Sequence, residues 1–338
     1  MEILTTGHLH INKAVSSFIT TSLHNIEYFE MRVFNITYWL ILAVAFISCT
    51  TGEQEQMNER RIISFSVDAE VESRAATDVL SNKFSVNNQF AIYINEVTAA
   101  PTPSVEYEQP MRYRITDTEG TMKPVNSPNP YYPASGNPVS VVAVFPYIAV
   151  NDNHLFEIQS NQNEKSGYQN SDLMYATLSG RNLTGDLVLS FRHLTSKITV
   201  VLTTSQEKTN LEYSKVSIIN TMTQAVFDAT VNNSVTASGN TDKKILISNN
   251  GSEACSGVIL PQNISAGTRL IEIELISGEK VYGVLPSIIT FEAGKSYTFN
   301  IDVVVDRVAS TITLNNIDVT DWVDAYSSPR EITGDITH

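Results

Sequence analysis

The feature that most constrains this chain is strict two-residue alternation near its start: Ile63, Phe65, Val67, Ala69 and Val71 point one way, while Ser64, Ser66, Asp68, Glu70 and Glu72 point the other. Period two marks a strand with one apolar and one wet face, because successive side chains leave a strand on opposite sides. The pattern returns at Phe90, Ile92 and Ile94, at Ile198, Val200 and Leu202, at Ile271, Ile273 and Leu275, and along Tyr297, Phe299, Ile301, Val303 and Val305. Val139 to Phe145 is instead a near-continuous apolar run closed by Pro146, as in a buried strand. No amphipathic helix of three turns is legible beyond residue 49. Short strands separated by Asn, Gly and Ser clusters predict an all-β chain of antiparallel sandwiches.

The 338 residues, 42% of them hydrophobic, suffice for two cores. The expected division is an N-terminal sandwich over 61–192 and a C-terminal sandwich over 193–338, which includes a C-terminal strand segment. It is drawn near Arg192, where the Leu187 to Phe191 strand gives way to that of Ser196 to Thr204. The Pro, Asn and Tyr cluster from Lys123 to Pro133 reads as an irregular loop, and Gln159 to Ser171 as a second long loop.

Upstream, Met31-Arg32 precedes the apolar run Tyr38 to Ile47, which ends at Ser48-Cys49. A membrane-spanning helix needs about 20 apolar residues, whereas an export signal has a shorter core, a basic residue before it and small residues at the cut. Phe46-Ile47-Ser48-Cys49 resembles a bacterial lipobox, with Phe46 in place of the usual Leu, so Cys49 is the expected lipidation site. A membrane anchor, or a signal cut elsewhere, is the competing reading. Residues 1–48 are then an upstream region and lipoprotein signal peptide, with Met31 the expected initiator, and polar residues 49–60 are a tether. His8, His10 and His24 lie ahead of that signal and are read as no metal site.

With 22 Lys+Arg against 36 Asp+Glu, the net charge of −14 argues against a nucleic-acid partner. Two cysteines exclude a disulfide framework or a cysteine-rich zinc site. Cys255 reads as a buried small hydrophobe. His193, beside Ser190, Thr195 and Ser196, is the one place to look for a triad, but no nucleophile elbow accompanies it, and a polar residue at a strand end explains it equally well. Asp318, Asp321 and Asp324, or Asp152 with His154, lack the register of a calcium loop. No cofactor and no catalytic or metal residue is therefore expected.

Several segments together resemble the fimbrillin family of lipoprotein pilins from anaerobic gut and oral bacteria. They are Ser73-Arg74-Ala75-Ala76-Thr77, Val142 to Tyr147, Asp172 to Ala176, and Gly257 to Gln262, followed by Phe291 to Tyr297 and Asp321-Trp322. Most specific is Leu189 to Ile198, similar to that family's Phe-x-His-x-x-Ser-Lys-Ile segment. The resemblance implies two transthyretin-like β-sandwich domains and a non-enzymatic fimbrial subunit, as stalk, tip or anchor. It also implies outer-membrane lipidation and exposure at the cell surface, with other fimbrial subunits as partners and a host or bacterial surface ligand as a further one. Assembly in that family proceeds by strand exchange after a protease removes the first strand, and Arg74 occupies the cleavage position. The plug strand would be Ile63, Phe65, Val67, Ala69 and Val71; a permanent first strand fits the same alternation. The C-terminal segment offers Ile312 and Leu314, then Ile317 and Val319 after Asn315-Asn316 shifts the phase. Such a strand bridges two subunits or finishes its own sandwich. The alternative function is a surface glycan-binding lipoprotein with Tyr131 and Tyr132 as aromatic platforms.

Overall fold

The computed structural model describes residues 61–68, 71–72, 83–97, 109–147, 154–181, 186–204, 211–212, 214–229, 234–249, 254–304 and 311–322. These lie in one compact unit, Arg60–His338, which holds two hydrophobic cores. Among the described residues the fold is all-β apart from one short helix.

The first half contributes β1 (Phe65–Val67), β2 (Val71–Glu72), β3 (Phe84–Ser85), β4 (Gln89–Glu96), β5 (Met111–Ile115) and β6 (Thr121–Pro124). After them come β7 (Val139–Phe145), β8 (Leu155–Glu157), helix α1 (Lys165–Ser171), β9 (Met174–Arg181), β10 (Leu187–Leu189) and β11 (Arg192–His193). Eight of these strands form one sheet in the order β10-β1-β6-β5-β4-β7-β9-β11. Inward side chains of β10 at one end of that order, Leu187 and Leu189, and of β9, next to the other end, Met174 and Ala176, share one core with Phe65, Phe90, Tyr113 and Phe145. A single curled sheet therefore builds the first core, and its alternation is clean: β5 reads buried, exposed, buried, exposed, buried.

The second half contributes β12 (Ser196–Thr203), β13 (Lys215–Ile218), β14 (Gln224–Val226), β15 (Thr236–Ser238), β16 (Ile245–Ser248) and β17 (Ala254–Ile259). It ends with β18 (Gln262–Ile264), β19 (Arg269–Glu274), β20 (Lys280–Val284), β21 (Ile289–Phe291), β22 (Lys295–Val304) and β23 (Thr311–Asp321). Two four-stranded sheets, β17-β12-β22-β23 and β16-β13-β19-β20, enclose the second core between them. Ile198, Val200, Phe299 and Ile301 meet Val216, Ile218, Ile271 and Ile273 there. The sheets pack closely: a Cβ on Gly257 of β17 would fall 2.4 Å from Ile247 of β16. Most pairs are antiparallel, but β12 runs parallel to β22, β1 parallel to β10 and β2 parallel to β3. Hydrophobic alternation identifies strands without fixing their direction.

β7 is apolar on both faces because both are used. Val141, Ala143 and Phe145 line the first core, while Val142 and Val144 lie against the second. Tyr93 on the neighbouring β4 packs at the same junction, and burial, then Asp228 and Tyr147, push its phenol up to about 12.

The segment expected as a loop over Gln159 to Ser171 is ordered. Leu246 donates to Ser160 and Gln162 donates back to Leu246 through their backbones, and α1 buries Tyr168 and Ser171. Fully buried Gln162 clamps one residue of β17: its Nε2 donates to Val258 O at 2.9 Å and its Oε1 accepts from Val258 N at 2.6 Å. A glutamine's amide mimics a strand's peptide, a role that composition does not reveal. β8 and α1, both ahead of Arg192, lie with the second core, β8 pairing with β14.

Candidate functional site

β1 is short but enclosed on both sides. It pairs parallel with β10 at Phe65↔Leu187 to Val67↔Leu189 and antiparallel with β6 at Phe65↔Met122 and Ser66↔Thr121. Backbone bonds extend beyond the paired residues, from Ile63 N to Pro130 O, from Leu187 N to Ser64 O and from Asp68 N to Leu189 O. Ile63, Phe65 and Val67 are 1%, 1% and 4% exposed. Phe65 meets Tyr113 edge-on at 5.3 Å between ring centroids. On the wet face, Ser64 donates to Asp186 and Ser190 donates to Asp68. The turn at Gly120 fits β1 tightly. Its φ is +82°, its carbonyl accepts from Val67 N, and an added Cβ would meet Val67 Cγ2 at 2.8 Å.

β1 thus stands between β6 and β10, and β10, at the end of the sheet, hydrogen-bonds to it through β1. With strands spaced about 4.8 Å apart, removing β1 leaves a gap of about 10 Å between β6 and β10, lined by unpaired peptide groups and an apolar floor.

Of the five expected plug residues, Ile63, Phe65 and Val67 share this buried row. Ala69 lies outside the described residues. Val71 is in β2, which pairs with β3 rather than with β6 or β10. Cys49 and Arg74 also lie outside the described residues.

A second constellation gathers the motif residues. His193 of β11 places Nδ1 2.6 Å from Asp172 Oδ1, and Thr195 Oγ donates to the same oxygen at 3.1 Å. The imidazole lies parallel to the Trp322 indole, with centroids 3.6 Å apart and planes at 5°. Trp322 N donates to Gly294 O, and Gly294 N donates to Thr195 O. Thr195 thus spends its hydroxyl on the carboxylate, and the His193 side chain is 4% exposed. A substrate arriving from solvent does not reach a ring so covered.

Other expected positions resolve individually. Cys255 is buried, and desolvation pushes its thiol up to about 12. Asp318 accepts from Asn300 and Asn316, and Asp321 pairs with Lys295 at 2.5 Å. Asp324 and Asp152 lie outside the described residues, and His154 stands 3.8 Å from Asp228. Tyr132 is half-buried against the first core, and Tyr131 bridges to Ile62 at the entry to β1. These tyrosines frame the first strand. Sequence reasoning missed Gly120 and Tyr113 as partners of β1, since their link to it is purely tertiary.

A family model described as fimbrillin-like matches residues 73–322, about three quarters of the chain. The chain belongs to the fimbrillin-like family. Comparison with the curated proteins finds no match. Among solved structures, this fimbrillin-like chain resembles a protein named for cell adhesion from Bacteroides uniformis ATCC 8492, with TM-score 0.59 and 17% identity over 78% of this chain and 99% of that one. A second, from Bacteroides ovatus ATCC 8483, gives TM-score 0.57 and 17% identity over 78% and 98%. At such identities the likeness is one of fold. The fimbrillin-like match ends at Trp322 and begins at residue 73, so β1 precedes it.

Proposed function

We propose that this fimbrillin-like chain is a non-enzymatic structural or adhesive subunit of cell-surface fimbriae, carried to the outer membrane by lipid on Cys49. Cleavage after Arg74 removes β1, and a strand from a neighbouring subunit takes its place between β6 and β10. The division near Arg192 into N-terminal (61–192) and C-terminal (193–338) halves belongs to the same reading, with β8 and α1 crossing over to the second core. The observation that carries it is the seat of β1: three side chains at most 4% exposed, ladder bonds to two neighbours, and a terminal strand that joins the sheet through it. Burying such a row contributes about 1.5–3 kcal/mol per large apolar side chain, so a vacated groove strongly favours another strand. Family membership supports the fimbrial role and the surface location.

The test is protease-triggered assembly. Wild-type protein treated with a trypsin-like protease should form oligomers on size-exclusion chromatography, and Arg74→Ala should stay a folded monomer. Equal assembly by both, with β1 retained, would refute the mechanism. For the lipid, Cys49→Ala should leave the membrane fraction; unchanged partitioning would refute lipidation.

A further inference from the structure

The second half of β23 is lightly held. β23 is the end strand of its sheet and pairs with β22. From residue 316 onward Asn316, Asp318, Val319, Thr320 and Asp321 are exposed and Ile317 is half-buried; Trp322, at 7% exposure, is the first fully seated side chain. A bulge at Asn315, between the pairs Asn300↔Asn316 and Ile301↔Leu314, separates this half from the rest of the strand. The side-chain links from β22 to this half, Asn300 to Asp318 and Lys295 to Asp321, are both surface-borne, and exposed pairs hold weakly. Trp322 Nε1 is buried without a hydrogen-bond partner among the described residues, so stacking and packing, not its N–H, hold the indole in place.

We propose that His193 is the positioning residue of the C-terminal strand. Its imidazole, oriented by Asp172, forms the seat of Trp322, and that seat decides whether Asn316–Trp322 stays docked on β22. The 2.6 Å contact between Asp172 Oδ1 and Nδ1 holds the ring plane fixed. Lys197 Nζ, 5.9 Å from the indole, and the Gly294 carbonyl complete the seat. β11 belongs to the first sheet and β23 to the second half, so the stack ties the last strand of one to the last strand of the other. Loss of the seat frees one half-strand and leaves the fold in place. This goes beyond the β1 mechanism and does not depend on it.

The test uses the full chain with Trp39→Phe, which leaves Trp322 as its only tryptophan. His193→Ala should shift Trp322 emission to the red, increase its quenching by acrylamide, and raise amide exchange at 316–321 at least tenfold while β12 and β17 stay protected. Asp172→Ala should act in the same direction, and the double variant should add little to His193→Ala. On exchange alone, Trp322→Phe, which keeps a ring on the imidazole, should retain protection of 316–321, and Trp322→Ala should lose it. That pair decides the matter if His193→Ala fails to fold. Unchanged exchange at 316–321 in both alanine variants, or a rise spread evenly over the chain, would overturn the proposal.

Discussion

Phe65 stands at 90° to Tyr113, ring centroids 5.3 Å apart, so the first strand is fastened to β5 across the core as well as to β6 and β10 along the ladder. Both rings are 1% exposed. Edge-on aromatic pairs add about 0.5–1.5 kcal/mol beyond their buried area. In a chain that keeps its first strand, Phe65→Ala should therefore cost about 3–5 kcal/mol, and Phe65→Leu distinctly less. Urea unfolding of the two variants measures this; equal midpoints for Phe65→Ala and wild type would mean that β1 contributes little.

Gly120 offers a backbone test of the same strand. Its positive φ and the 2.8 Å approach to Val67 both oppose a side chain. Gly120→Ala should destabilise by about 1–3 kcal/mol, checked by thermal unfolding. Glycine at 136, where an added Cβ meets nothing within 4 Å, is the control for positive φ alone.

Acid should weaken the outer face of β19. The Lys215 ammonium, by hydrogen bond and then by charge, with Lys244 and Lys280 behind it, holds the Glu274 carboxyl below the usual carboxylate range. A depressed folded pKa stabilises fully above the unfolded value of about 4.5, and that contribution fades as pH falls through the folded one. Lys215→Met should therefore be less stable than wild type near pH 6, and the difference should shrink toward pH 3. Denaturation midpoints across that range check the sign.

Cys255 should be inert in the folded protein. Its thiol is pushed up to about 12 by burial, and Sγ lies 3.8 Å from Val200 O. A disulfide reagent at pH 8 should label it only after denaturation; rapid native labelling would show that the second core opens readily.

Much of the fold is legible in side-chain alternation. Ile63, Phe65 and Val67, Phe90, Ile92 and Ile94, the β12 row, and Tyr297 to Val303 are buried as period two predicts. The phase shift at Asn315-Asn316 became a bulge opposite Asn300 and Ile301. Other features depend on contacts between residues far apart in sequence. Gln162 reaches Val258 across 96 positions, and α1 forms where Gly167 passes Asn161 O so closely that an added Cβ would sit 1.7 Å from it. Polar composition suggested a loop there because a glutamine's buried partner leaves no local periodicity. The site was half legible. The apolar row of β1 announces itself, whereas the parallel pairing with β10 joins strands more than 100 residues apart.

The most direct test of strand exchange is the N-terminal sequence and intact mass of the subunit taken from native surface fibres. Cleavage after Arg74 predicts Ala75 as the first residue and a mass without β1. Assembled subunits that begin upstream of Ile63, with β1 still attached, would contradict it.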